Sequence, residues 1–167
     1  MRRSILGLTG LLALALLALP VALLALRPLA NGTSSQQVQS GAKDVAFAQY
    51  RQEKAVYQVF LKQLRATGAA VVEVDGSGPL PLSGYGFGLT VNGGWVEVYA
   101  YATPKDADND VASISPDGST FAHKVYHWSA PIHLFRRDQL IIFYMGEDRR
   151  VIAPLASLLG PQFAGNP

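Results

Sequence analysis

The sequence predicts an α+β fold in which one antiparallel sheet carries helices packed on one face, with a transmembrane helix before that domain. Three observations lead to this prediction. Helical and extended segments follow in the order α, β, β, β, α, β, β, β, α, an Asn-Gly dipeptide joins two extended segments, and residues 5–26 are almost wholly apolar. For such an order, an antiparallel sheet with helices on one side is the economical arrangement.

The apolar segment at residues 5–26 is long enough to span a bilayer, since about 20 apolar residues at 1.5 Å per residue cross a hydrocarbon core of roughly 30 Å. Only four of its residues are not Ala, Val, Ile or Leu, namely Gly7, Thr9, Gly10 and Pro20. Two alternatives are open, a cleaved secretory signal and an uncleaved signal anchor. The segment is longer than the apolar region of a typical signal, about 7 to 15 residues, and Pro28 disfavours cleavage after Ala30. We therefore expect an anchor.

The charges on either side of the span predict its orientation. Arg2 and Arg3 precede it, whereas Arg27 is the only cation immediately after it and the next is Lys43. Because the more cationic flank stays in the cytoplasm, we expect a single-pass protein of the cytoplasmic membrane, with a cytoplasmic amino terminus and its domain outside. Cleavage would instead release the domain as a secreted protein.

Composition divides the chain into three parts. Residues 1–30 form the anchor, residues 31–42 are small and polar and are predicted to be a flexible spacer, and residues 43–167 have the size of one extracytoplasmic domain. The chain has no Cys, so neither a disulfide framework nor a lipid-modified cysteine stabilises or anchors it. The domain must be stabilised by its core.

The basic character of the chain belongs to the anchor. Three of the 14 Lys and Arg flank the span, which leaves 11 cations against 12 Asp and Glu, a balance of −1. A nucleic-acid-binding protein needs a basic stripe to contact phosphates, and the domain retains none in its sequence. We therefore expect no nucleic-acid partner.

The first predicted helix begins at Asp44, a suitable N-cap, and ends at Gly68 in a left-handed cap. Apolar and aromatic residues recur along it at helical spacing, at Phe47, Tyr50, Val56, Tyr57, Phe60, Leu61 and Leu64. Three strands follow, at residues 70–74, 85–91 and 95–101. Asn92-Gly93 is the hairpin turn between the last two strands.

The second half begins with a helix over about residues 104–114, which Thr103 caps. Three extended segments follow, at residues 121–128, 132–135 and 140–145. The last of them is apolar on both faces, which is typical of a central strand. Asp148 or Glu147 caps a final helix near the carboxyl end.

Glycine alternates with aromatic residues at the start of the second strand, in Gly84-Tyr85-Gly86-Phe87-Gly88. A phosphate-binding loop does not fit this motif, because such loops open a helix and this one leads into a strand. The alternate glycines instead indicate a strand that another backbone approaches closely, or a bulge.

Aromatic residues on and near the sheet are the candidate ligand-binding residues: Trp95, Tyr99, Tyr101, Tyr126 and Trp128. The first three share one strand face, because side chains alternate along a strand. A face that no helix covers would be an exposed patch suited to a protein partner or an apolar ligand. The alternative is that the helices at residues 44–67 and 148–159 cover this face.

A histidine general base is the alternative chemistry, with His127 or His133 as the base and a carboxylate such as Asp138 orienting it. His123 and His127 are four residues apart, but along a strand this spacing is about 13 Å, too far for two ligands of one metal ion. We predict no metal site and no cofactor.

Several short motifs in the carboxy-terminal half are turns and a tail: Ser115-Pro116-Asp117-Gly118-Ser119, Ala130-Pro131 followed by His133, Gly146-Glu147-Asp148, and Leu159-Gly160-Pro161-Gln162-Phe163-Ala164-Gly165. In these motifs the chain, over about residues 70–165, resembles a family of small uncharacterised bacterial exported or membrane-anchored proteins. The resemblance implies a location in a bacterial envelope. It implies no activity and no catalytic residue, and this chain lacks the cysteine of lipid-attached relatives.

Together these features predict a membrane-anchored, extracytoplasmic binding or interaction module, held in the membrane through residues 5–26. Its partner would be an envelope protein or an apolar ligand. The alternative function is a small envelope hydrolase that uses a histidine general base.

Overall fold

The computed structural model describes residues 32–78 and 80–166. Three helices lie in this part of the chain, α1 (Gly32–Ala66), α2 (Pro104–Val111) and α3 (Arg149–Leu159). The strands are β1 (Val71–Val74), β2 (Tyr85–Val91), β3 (Gly94–Ala100), β4 (Thr120–Phe121), β5 (Lys124–Val125), β6 (Ile132–Arg137), β7 (Leu140–Met145) and β8 (Ala164–Gly165). None of the helices described is both long and apolar enough to cross a membrane. The apolar segment at residues 5–26 lies outside the described residues.

Six strands form one antiparallel sheet in the order β1-β2-β3-β7-β6-β8. This confirms the α+β class and the antiparallel sheet. It also confirms β7 as a central strand, since five of its six residues are buried. Strand β7 lies between β3 and β6, where side chains on both faces pack into the core.

The turn between β2 and β3 has the predicted conformation. Asn92 and Gly93 have φ values of 49° and 89°, and two consecutive residues with positive φ are what a type I′ hairpin turn requires. The Asn92 side chain also contacts neighbouring elements. Its oxygen accepts a hydrogen bond from the Ala70 amide at 2.8 Å, and its nitrogen donates to the Arg150 carbonyl at 2.6 Å. One turn residue therefore joins the residue before β1, the hairpin and α3.

The first face of the sheet is covered by α1 and α3, as the sequence predicts for two of the three helices. Strand residues of this face, among them Leu89, Val91, Val96, Val98 and Ile142, pack with Tyr57, Phe60, Leu61 and Leu64 of α1 and with Val151 and Leu155 of α3. The α1 side chains in this cluster recur at intervals of three and four residues, which places them on one side of the helix.

The prediction that the helices pack on one face is wrong for α2. Ala107 of α2 is buried with Tyr99, Tyr101, Ile141 and Phe143 on the second face of the sheet, together with Phe121 of β4. The physical reason lies in β3 and β7, which carry large apolar side chains on both faces. The second face must therefore be buried as well, and α2 with the β4–β5 hairpin covers it.

Residues 121–128 are predicted as one extended segment, and this is wrong. The chain reverses after β4 at Ala122 and His123, whose φ values are 45° and 69°, and β5 pairs antiparallel with β4. Hairpin turns with positive φ are dominated by Gly, Asn and Asp, and Ala122 carries no such signal, although His is enriched at positive φ relative to most residues. The sequence therefore marks this turn only weakly, at His123.

Helix α1 begins at Gly32, whereas the sequence predicts a start at Asp44. The described side chains from residue 39 to residue 49 are exposed, including Phe47, which the helical pattern predicts to be buried. The buried part of α1 begins at Glu53, so α1 from residue 39 to residue 49 adds no buried side chain to the core. The role of residues 31–42 as a spacer stays a prediction.

Candidate binding groove

The glycines of β2 allow a loop to lie directly against the sheet. Gly86 and Gly88 both face the second side of the sheet, where residues 75–78 cross it. A methyl group on Gly86 would lie 2.6 Å from the Ser77 Cβ, and one on Gly88 would overlap the carbonyl oxygen of Gly76. In both cases the added methyl group would be far closer to its neighbour than a van der Waals contact allows. The interpretation that another backbone closely approaches this strand is confirmed.

Two acidic residues lie against the segment that joins β1 to β2, one at Gly78 and one at Ser83. Glu97 is buried beneath Gly78, and its carboxylate accepts hydrogen bonds from Trp95 Nε1 at 3.3 Å and from the Tyr99 hydroxyl at 2.8 Å. At the other end, Asp110 accepts hydrogen bonds from the Ser83 amide at 2.6 Å and from the Tyr101 hydroxyl at 2.8 Å. Contacts at Gly78 and at Ser83 thus place this segment against the sheet and α2.

Burial and these carboxylates change the titration of the two tyrosines. Burial raises the pKa of Tyr99 strongly, and the hydrogen bond to Glu97 raises it further. Burial likewise raises the pKa of Tyr101, with Asp110 as the second cause. Both hydroxyl groups therefore stay protonated and serve as hydrogen-bond donors.

A groove lies where β1 is shorter than its neighbour. Strand β1 ends at Val74, which is paired with Gly88, so residues 85–87 of β2 extend beyond it. The space between this end of β2, residues 75–77 and α1 is an open groove of about 490 Å³. The groove is within the size range of small-ligand sites.

Four aromatic rings form the wall of the groove, two from α1 and two from β2. Tyr57 and Phe87 stack with 4.1 Å between ring centroids, and Tyr50 meets Tyr85 edge to face at 4.7 Å. Tyr85 also contacts Phe87 at 4.9 Å. Tyr57 is buried, whereas Tyr85 is 46% exposed. The inner rings are held by packing, and the outer ring is free to contact a ligand.

Charged and polar groups line the rim of the groove. Lys54 lies over the Tyr50 ring, with Nζ 5.8 Å from its centroid. Glu73 accepts from Gln58 Nε2 at 3.5 Å and forms an ion pair with Arg65 at 3.4 Å. Burial, with the Glu73 carboxylate as the second cause, raises the pKa of Tyr57 to about 12. The groove thus combines an apolar wall with both signs of charge at its opening.

The predicted ligand-binding aromatic residues do not form one exposed surface. Tyr99 and Tyr101 are buried under the loop and α2. Tyr126 and Trp128 are half-buried, stacked on each other at 5.0 Å, and Trp128 Nε1 donates to the Gly118 carbonyl at 2.8 Å. Of the five residues only Trp95 is exposed, to 42%. The helices at residues 44–67 and 148–159 lie on the opposite face and do not cover these residues.

The candidate catalytic residues lie apart. His133 is buried on β6, with Nδ1 2.6 Å from Gln162 Oε1 and Nε2 3.0 Å from the Gly146 carbonyl oxygen. Asp138 lies in the turn after β6, about 16 Å along the strand from His133. His127 is exposed and has no hydrogen bond to a carboxylate among residues 32–78 and 80–166. In the same part of the chain, no three His, Asp or Glu side chains are placed to hold a metal ion.

The groove residues were predicted as elements of the core and not as a site. Tyr50 and Tyr57 belong to the apolar stripe of the first helix, and Tyr85 and Phe87 to the motif with alternating glycines. One signal was present in the sequence: an aromatic pair on one strand face, opposite glycines on the other. The groove itself depends on where β1 ends, which the sequence does not determine to within a residue or two.

Comparison with known protein families, curated proteins and solved structures finds no significant match to this chain. The resemblance of the carboxy-terminal half therefore stays a prediction.

Proposed function

We propose that the chain is a membrane-anchored binding module, held by residues 5–26, whose domain takes up a partner outside the cytoplasmic membrane through the groove beside β2. The proposal rests on the composition of the groove. It offers an apolar wall for an aromatic or aliphatic group and charged groups at its rim for orientation, which is the usual composition of a ligand site.

The arrangement of the rings supports binding by a preformed surface. Tyr57 is stacked against Phe87, and Tyr85 contacts Phe87 with its ring tilted by 48°, so the wall needs little reordering when a partner binds. Low ordering cost favours affinity, because a ligand loses less binding free energy to immobilising side chains. Tyr is among the residue types that most often dominate binding. Tyr85, 46% exposed, is the ring of this wall that a partner can reach.

The hydrolase alternative lacks this support. A general base needs its orienting carboxylate within hydrogen-bond reach, and the described part of the chain contains no such pair for His127 or His133. Both ring nitrogens of His133 already face protein oxygens. No observation therefore favours the second function.

The test compares two exposed positions in the full-length chain. Tyr85→Ala removes the outer ring of the groove, and Val125→Ala is the matched control, because Val125 is 60% exposed on the distant β5. Each immobilised protein is incubated with a bacterial envelope extract, and the retained protein, lipid and glycan are measured. We expect Tyr85→Ala to lose about tenfold in retention of a component that the wild type and the control both bind. Equal retention by all three proteins would contradict the proposed site.

Location is tested separately with a reporter that is active only in the cytoplasm, fused after residue 167. The proposed topology predicts a silent fusion, since the carboxyl end would lie outside. An active fusion would overturn the topology while leaving the groove untouched.

A further inference from the structure

The two edges of the six-stranded sheet differ in how they are protected. At the β8 edge, the Gly165 amide donates to the Pro116 carbonyl at 2.9 Å, so a turn covers this end of the sheet. At the other edge, the outer side of β1 has no hydrogen-bond partner among the described residues. Sheet edges that are left unpaired are templates for strand addition.

The register identifies which backbone groups of β1 are free. Val91 and Gly94 flank the two-residue hairpin turn and therefore form a hydrogen-bonded pair. Every second residue of β2, counted from Val91, is thus bonded to β3, and the residues between them direct their backbone N–H and C=O groups toward β1. Val72 and Val74 pair with these residues. The backbone N–H and C=O groups of Val71 and Glu73 consequently point outward, away from the sheet.

The side chains beside this edge are apolar on the second face of the sheet. Val72 is 61% exposed, and its cross-strand row continues through Thr90 to Trp95, which is itself exposed. The devices that usually protect an edge strand are a Pro, a Lys or a bulge, and β1 contains none of them in its sequence VVEV. Only its short length and Glu73 oppose addition of another strand.

We infer that β1 pairs antiparallel with β1 of a second copy of this chain, with Val72 of one copy facing Val72 of the other. In this register Val71 of each copy lies opposite Glu73 of the other, so all the outward backbone groups of Val71 and Glu73 find partners. A register centred on Glu73 would place two carboxylates directly opposite each other, which is destabilising.

The ion pairs at Glu73, the short length of β1 and the predicted anchor favour a second copy of this chain as the strand that pairs with β1. Each Glu73 carries Arg65 at 3.4 Å, so the two-fold axis brings together two ion pairs and not two bare carboxylates. A four-residue strand buries less area than a stable dimer in dilute solution needs, roughly 1,200 Å². This step rests on the proposed function: the apolar segment at residues 5–26 ends just before α1, and anchoring two copies in one membrane raises their effective concentration above that of the free chain in solution.

Because the chain has no Cys, single cysteines test the register directly. Val72→Cys places two thiols across a non-hydrogen-bonded pair, where Cβ atoms lie about 4.5 to 5.5 Å apart and a small shift permits a disulfide. Val74→Cys is the control within the same strand, since the two copies of residue 74 lie about 13 Å apart along the strands in this register. Val125→Cys is the control for random collision.

Each full-length variant is expressed in bacteria and fractionated, and the fraction that holds the chain is oxidised and analysed on a non-reducing gel. We expect Val72→Cys to form the disulfide dimer at least about tenfold faster than both controls. Equal rates in the three variants overturn the pairing, in whichever fraction the chain is found. The fractionation reports on the anchor separately, so failure of the anchor and failure of the pairing are distinguishable.

A second variant tests whether backbone hydrogen bonds are responsible. Glu73→Pro removes an outward N–H that has no partner within the described chain, and proline is tolerated at such positions of edge strands. In the Val72→Cys background it should reduce the dimer about tenfold while the thermal unfolding midpoint changes by only a few degrees. A dimer yield unaffected by the proline would overturn strand pairing.

Discussion

The carbonyl oxygen of Gly76 lies directly against the Cα of Gly88, so that no side chain larger than hydrogen fits between the loop and β2. The position of the loop and the shape of the groove both depend on this contact. On one side of β2 the glycines allow the loop to lie against the sheet, and on the other side Tyr85 and Phe87 form the wall of the groove.

Gly88→Ala is therefore expected to displace the loop and to lower the free energy of unfolding by about 1 to 3 kcal/mol, because the added methyl group overpacks a closed contact. Gly41→Ala is the matched control, since Gly41 is an exposed residue of α1 with no atom near the position of the new methyl. That change should stabilise the chain by at most about 1 kcal/mol. Thermal or denaturant unfolding measures both, and a Gly88→Ala protein as stable as the wild type would contradict the close approach.

Asn92 contributes both a left-handed backbone conformation and two hydrogen bonds. Asn92→Gly keeps the conformation and removes the bonds to Ala70 and Arg150, whereas Asn92→Ala loses both. We expect losses of about 1 to 2 kcal/mol for Gly and about 2 to 4 kcal/mol for Ala. Denaturant unfolding separates the two contributions, and an Ala variant no less stable than the Gly variant would contradict the strained turn.

Asp148 caps α3 and makes stability depend on pH. The Arg150 side chain, and then the Arg150 backbone amide, hold the pKa of Asp148 below its ordinary value of 3.8. Because the pKa is lower in the folded state, the contribution is present above pH 3.8 and is lost as pH falls through the folded value. Asp148→Asn keeps a capping side chain without the charge. Its unfolding midpoint should lie below that of the wild type at neutral pH and converge with it in acid; a constant difference would contradict the assignment.

Tyr57 is expected to ionise only in strong alkali, since burial and Glu73 raise its pKa to about 12 from 10.0. With the raised pKa in the folded state, its contribution to stability is complete below pH 10 and is lost as pH rises toward 12. Tyr57→Phe should therefore leave the tyrosinate absorbance of the folded chain unchanged below about pH 11. A decrease in that absorbance at lower pH would show that the ring is solvated and the groove wall open.

The local chemistry of turns and caps was predictable from the sequence. Asn92-Gly93 identifies the hairpin, and Thr103 and Asp148 cap the second and third helices as expected. In each case a few adjacent residues determine the conformation, so the signal is complete within the sequence.

Features that depend on distant contacts were not predictable in the same way. The second face of the sheet is covered by α2 and the β4–β5 hairpin because β3 and β7 are apolar on both faces, and the alternation pattern alone does not say which element covers which face. The turn at Ala122 and His123 lacks the Gly, Asn or Asp that such hairpin turns usually contain. The groove requires β1 to stop at Val74, so that the first residues of β2 have no partner on that side. This is a tertiary relationship.

The central claim is that the groove beside β2 is the surface that takes up a partner. The most direct measurement places a photo-reactive amino acid at position 85 of the full-length chain in living bacteria, with the same residue at position 125 as the control. If a partner occupies the groove, illumination gives a discrete cross-linked product from position 85 and none from position 125. A product from position 125 alone, or no product from either position, would contradict the account.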